Sequence, residues 1–148
     1  MLALTEKRKP SSSPVAAIRS DIVDVLTVHS DEHVRNFLVF HLKRAGYRVR
    51  LAEHEIRAWM RVMERAPDVM IMDVDLQGMH CFEFLAGIRA DSRIPFFPVL
   101  FLTTHMDVAH RARELGAASV LKPVRPEKLL ATVAWSKLIR RPHRGQYH

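Results

Sequence analysis

The sequence predicts an α/β fold built as a doubly wound parallel sheet, and two observations carry that reading. The first is a continuous apolar run, Val69 to Met72, that reaches Asp73, passes a polar turn containing Gly78 and enters a helical pattern near Cys81. A run of that kind reads as a strand buried on both faces, as strands of parallel sheets are. The second is repetition: five short apolar runs alternate with helical patterns, each able to serve as the crossover that parallel strands require. A carboxylate at the carboxyl end of such a strand sits in the crevice where open α/β sheets bind ligands. Asp73 is therefore the first candidate for function.

Taken in order, strand one is predicted at Val23 to Val28. Ser30 or Asp31 is placed to cap a helix running to about Ala45, with Gly46 as its stop. At about 100° per residue, Val34, Phe37, Leu38, Leu42 and Ala45 share an inward face, and Val39 and Phe40 fall off it. Tyr47 to Ala52 alternates Arg48 and Arg50 with Val49 and Leu51, which predicts a strand exposed on one side and near an edge. His54 to Arg65 is helical, with Ala58, Trp59, Val62 and Met63 inward, and Pro67 ends that connection. Strand three is Val69 to Met72, followed by a helix from about Cys81 to Arg89. Phe97 to Thr103 is strand four, His105 to Leu115 a helix closed by Gly116, and Ser119 to Leu121 a short fifth strand. Pro126 suits the first position of a last helix ending near Ile139.

A chain of 148 residues is one domain, long enough to bury a core. Its single cysteine, Cys81, excludes an internal disulfide and any multi-cysteine zinc site, and suits a reducing compartment. No apolar run approaches the ~20 residues that span a bilayer, and the amino terminus lacks a signal peptide's apolar core; the expected location is the cytoplasm. The net charge of +7 is concentrated at the ends. Residues 1–20 carry Lys7, Arg8, Lys9 and Arg19 against Glu6, and residues 140–148 carry Arg140, Arg141 and Arg144. Both stretches are expected to be solvated tails flanking a domain at 21–139, the first a flexible leader. Basic tails could add nonspecific attraction to nucleic acid, although nucleic acid is not the expected partner. No phosphate-cradling glycine loop or nucleophile–base pair argues for an enzyme.

Several residues stand together in a recognisable order: Asp73 with Gly78 five positions on, Pro98 to Thr103, Lys122-Pro123, and Pro126 to Leu130 opening the last helix. In these the chain resembles the response-regulator receiver family, the chemotaxis-type phosphoacceptor domain, over roughly Asp21 to Ile139. The resemblance implies a flavodoxin-like sheet of five parallel strands ordered 2-1-3-4-5 with five helices. It implies that Asp73 accepts a phosphoryl group, that Thr103 hydrogen-bonds it and that Lys122 pairs with its oxygens, with Pro123 holding Lys122 through a cis bond. Charge building on phosphoryl oxygens has to be met by donors and a cation, and these residue types supply them.

The same comparison exposes departures. Family members carry two adjacent acids after strand one that help to hold magnesium; here those positions are His29 and Ser30. Mg²⁺ takes oxygen ligands in near-octahedral geometry, so Asp73 and Asp75 form at most a weak site, and no other cofactor is expected. A competing expectation is that His29, Asp73 and Asp75 select a softer metal. Ser119 or Val120 stands where a switching aromatic is usual, which removes one known coupling to an output face. The resulting expectation is a stand-alone, atypical receiver (a pseudo-receiver) in a two-component phosphorelay. Its expected partners are the helical bundle of a histidine kinase or phosphotransferase, docking near Val39 and Phe40, and a downstream effector protein. A phosphorylation-independent scaffold and a nucleic-acid-associated regulator using the basic tails are the alternatives.

Overall fold

The computed structural model describes residues 22–29, 31–74 and 80–139. The leader and tail, Ser30, Asp75 and the turn with Gly78 lie outside the described residues. Five strands form one parallel sheet: β1 (Asp24–Val28), β2 (Arg48–Ala52), β3 (Val69–Asp73), β4 (Val99–Thr103) and β5 (Ala118–Leu121). Their order is β2-β1-β3-β4-β5, the order expected. Five helices connect and follow them: α1 (Glu32–Arg44), α2 (Glu55–Glu64), α3 (His80–Ala90), α4 (Met106–Glu114) and α5 (Pro126–Ile139).

The pleat sorts strand residues between two layers, because successive side chains point to opposite faces. Val25, Val69, Ile71, Leu100, Leu102 and Val120 face Leu38 and Leu42 of α1 and Leu129 and Val133 of α5. Leu26, Met70, Met72, Val99 and Phe101 face Ala58 and Val62 of α2, Phe82, Leu85 and Ile88 of α3, and Ala112 of α4. The central strands β1, β3 and β4 are buried along their whole length, which is why β3 and β4 read as unbroken apolar runs. Cys81 lies in the second layer, and burial pushes its thiol up to about 11.

Local chemistry fixes the boundaries. Asp31 caps α1, its carboxylate accepting from the backbone N–H of His33 at 2.7 Å and of Val34 at 3.4 Å. Gly46 follows at φ +98°, a left-handed turn that lets the chain enter β2 directly.

Two inward assignments and one outward assignment are corrected. Ala45 is the exposed carboxyl cap of α1. Met63 is exposed because the α2 stripe facing the sheet is narrower than expected and centres on Ala58 and Val62. In β2, Arg50 is not on a solvent face. It turns into the α2 layer and chelates the buried Asp24 carboxylate, its Nη2 lying 2.6 Å from Oδ2. Leu51, on the opposite side of the pleat, is the more exposed of the two.

Candidate functional site

Four of the sequence-predicted residues converge at the carboxyl ends of β1, β3, β4 and the turn after β5. Asp73 is the last residue of β3 and pairs in register with Leu102, so Thr103 of β4 sits one step further along. Thr103 pairs with Leu121, and the backbone N–H of Lys122 donates to the Thr103 carbonyl at 2.8 Å. That bond carries the ladder one residue past β5 and brings Lys122 over the sheet's rim. The Lys122–Pro123 bond is cis, as the Lys-Pro pair implied.

Pleat parity places Asp73, Lys122 and His29 on the α1/α5 side and Thr103 on the other. Lys122 Nζ donates to both carboxylate oxygens of Asp73, at 2.9 and 3.0 Å. The carboxylate side chain is wholly buried and the lysine is largely so. The Thr103 hydroxyl accepts from the backbone N–H of His105 at 3.0 Å, which ties it to the start of α4.

His29 closes the site from β1. It is 3% exposed, and its backbone N–H donates to Ala52 at 3.0 Å, extending the β1–β2 ladder. The ring Nε2 lies 3.0 Å from Thr27 Oγ1, while Nδ1 is buried without a hydrogen-bond partner among the described residues. Burial lowers the His29 pKa below its ordinary value; Asp73 pulls it upward, and Arg35 adds to the lowering. The imidazole is therefore neutral at pH 7.

A group whose folded pKa is depressed adds stability above its unfolded value, near 6.5, and that stability is lost as pH falls through the folded pKa. Melting temperature followed from pH 7 towards pH 5 is expected to fall more steeply for the wild type than for His29→Gln. Parallel profiles for the two proteins would remove the neutral buried imidazole from the account.

The donor set can be tested against a divalent cation. Both Asp73 oxygens are engaged by an ammonium, the neighbouring first-strand position supplies an imidazole nitrogen, and the Asp31 carboxylate is spent on capping α1. Among the described residues no group of three or more His, Cys, Asp or Glu side chains converges to hold a metal. Magnesium takes several oxygen ligands in near-octahedral geometry, usually with retained waters.

On α1, Phe40 is 56% exposed and Val39 half-buried. The Phe40 ring lies against the Arg44 guanidinium at 5.8 Å. Beside α1, a cavity of about 230 Å³ opens between that helix and the β5–α5 turn, with Phe37 on one wall and Lys122 and Pro123 on the other. Sequence periodicity could not find it, because its two walls are 85 residues apart.

An open parallel sheet of this order is the flavodoxin-like architecture, here with a buried carboxylate and a lysine paired across its rim. The chain belongs to the response regulator receiver domain family, whose pattern matches residues 25–134. Receiver domains are signalling modules of two-component systems and not enzymes.

Among curated proteins it is 33% identical over 112 residues to the transcriptional regulatory protein GltR of Pseudomonas aeruginosa, covering 74% of this chain and 46% of that protein. It is 32% identical over 112 residues to the transcriptional regulatory protein CreB of Escherichia coli, covering 74% of this chain and 48% of CreB. The chain thus matches only about half the length of these relatives. Among solved structures it resembles the chemotaxis response regulator CheY4 of Vibrio cholerae, with a TM-score of 0.71 and 31% identity over 78% of this chain and 98% of that one. No helix of the described residues is long and apolar enough to cross a membrane.

Proposed function

We propose that this receiver is atypical: Asp73 is its phosphoacceptor position, magnesium-dependent phosphorylation there is weak or absent, and the domain signals through protein contact. The observation that carries the reading is the Lys122 ammonium, within 3.0 Å of both Asp73 oxygens. The carboxylate already has its compensating cation, so a metal is not required to make the buried charge tolerable. His29 adds no negative charge to recruit one. Receiver chemistry needs an Asp73 oxygen to attack phosphorus while the donor's leaving group departs with the bonding pair. With a neutral imidazole in place of an acid, the charge on the transferring phosphoryl group is left to Lys122 and Thr103.

The proposed partner is the helical bundle of a histidine kinase or phosphotransferase, lying along α1. Phe40 supplies an exposed apolar anchor, and the cavity beside Phe37 leads from that helix to Lys122. An effector protein would read the same surface, and any shift in its equilibrium is limited to its differential affinity for the two states.

The test is incubation of the full chain with a small phosphodonor, with and without Mg²⁺, read by intact mass. A minor gain of one phosphoryl group, insensitive to Mg²⁺ and absent from Asp73→Asn, is expected. A stoichiometric, magnesium-dependent gain at Asp73 would overturn the proposal.

A further inference from the structure

Helix α2 is apolar on both sides. Its inner stripe, Ala58 and Val62, packs on the sheet, and Trp59 meets Phe84 of α3 edge to face at 6.1 Å. Its outer side carries a second stripe: Ile56 is 72% exposed, Met60 49% and Met63 41%. The spacing i, i+4, i+7 places these three on one line down the helix, the d-a-d pattern of a coiled-coil seam. Single exposed apolar residues are ordinary, but three aligned on one helix form a contiguous patch that marks an interaction surface. Two of the three are methionines, whose unbranched side chains adapt to a facing surface.

The flank of the stripe says what faces it. At about 100° per residue, Arg57 and Glu64 fall on the same side of the seam, seven residues apart. An antiparallel copy of α2, related by a two-fold axis near Met60, sets Arg57 of each helix beside Glu64 of the other. A parallel copy would set that charged flank against Trp59 instead. The pattern is therefore self-complementary, as the patch of a two-fold dimer must be. Glu64 lies 3.6 Å from Arg61 on the open surface, an exposed pair that can rearrange at little cost.

We propose that the outer face of α2 is a homotypic interface, in which a second copy of this chain seats its own α2 antiparallel across Ile56, Met60 and Met63. The inference is independent of the chemistry at Asp73. Because α2 and α1 lie on opposite layers of the sheet, such a dimer leaves the α1 surface open to another partner.

The experiment is sedimentation velocity of the full chain across a concentration series, with circular dichroism confirming that each variant is folded. The wild type is expected to move from one to two chain masses as concentration rises. Met60→Glu places two carboxylates near the axis and is expected to weaken association at least about a hundredfold. Arg57→Glu is expected to weaken it roughly tenfold, and adding Glu64→Arg to restore it to within about threefold of wild type. The reversal acts at two exposed positions and gives a readout that does not depend on Met60→Glu folding. A wild type that stays monomeric throughout, a dimer indifferent to Met60→Glu, or a charge reversal without rescue would each overturn the proposal.

Discussion

Arg50→Ala is expected to cost the fold about 3–5 kcal/mol, the range for breaking a buried ion pair by removing one partner. For a domain of this size that lowers the melting temperature by roughly 10–20 °C. Asp24, at the amino end of β1 beside the edge strand, is 1% exposed, and its carboxylate is chelated by Arg50 Nε at 3.2 and 3.0 Å and by Nη2 at 2.6 Å. The same guanidinium donates to two carbonyls at the end of α2, that of Arg61 at 3.1 Å, which also accepts from the Arg65 backbone N–H, and that of Arg65 at 2.7 Å. Alanine removes the charge compensation and both carbonyl partners together. Arg50→Lys keeps the charge but cannot reach two oxygens and two carbonyls from one ammonium, so it is expected to lose about 1–3 kcal/mol. Asp24→Asn with Arg50→Met is expected to cost less than Arg50→Ala, because no uncompensated charge is left inside. Urea unfolding at constant m-value measures all three. Arg50→Ala within about 1 kcal/mol of wild type would show that Asp24 is hydrated instead of sealed.

That network also shows where sequence reading stops. The central strands were legible because burial on both faces leaves an unbroken apolar run, as in Val69 to Met72. The α1 cap was narrowed to two residues because only a short oxygen-bearing side chain satisfies the first free N–H groups, and Asp31 is the one that does so. The alternation of Arg48 and Arg50 with Val49 and Leu51 correctly marked an edge strand with Val49 packed on the core, yet it put Arg50 toward water. Alternation records which residues share a face and carries no information on a buried carboxylate one strand away. Met63 failed for a related reason. Helical periodicity gives the apolar residues of α2 but cannot say that they form two stripes until the sheet occupies one. At the rim, the order of Asp73, Thr103 and Lys122 along the chain indicated a shared pocket. The bidentate contact from Lys122 and the orphaned Nδ1 of His29 are distances between strands, which no linear pattern carries.

The second large effect belongs to that rim. Lys122→Met is expected to destabilise the domain by about 2–4 kcal/mol, somewhat below a fully sealed pair because the lysine keeps partial access to water. Methionine preserves the aliphatic stem against the cavity wall, so the loss reports the ammonium and not the packing. Asp73→Asn is expected to be near neutral, since it removes the need to hold a charge in a side chain with no exposure. In the Asp73→Asn background Lys122→Met is then expected to cost less than about 1 kcal/mol, and the difference is the coupling between the two groups. The cycle separates two versions of the pocket. If Lys122 is the standing counter-ion, coupling is large and millimolar Mg²⁺ moves the wild-type melting temperature by no more than about 1 °C, because a cation that binds the native state weakly adds little stability. If a divalent ion is the true counter-ion, coupling is small and the melting temperature climbs with Mg²⁺. The short contacts from one ammonium to both carboxylate oxygens favour the first version, since a metal would need at least one of those oxygens turned away from the lysine.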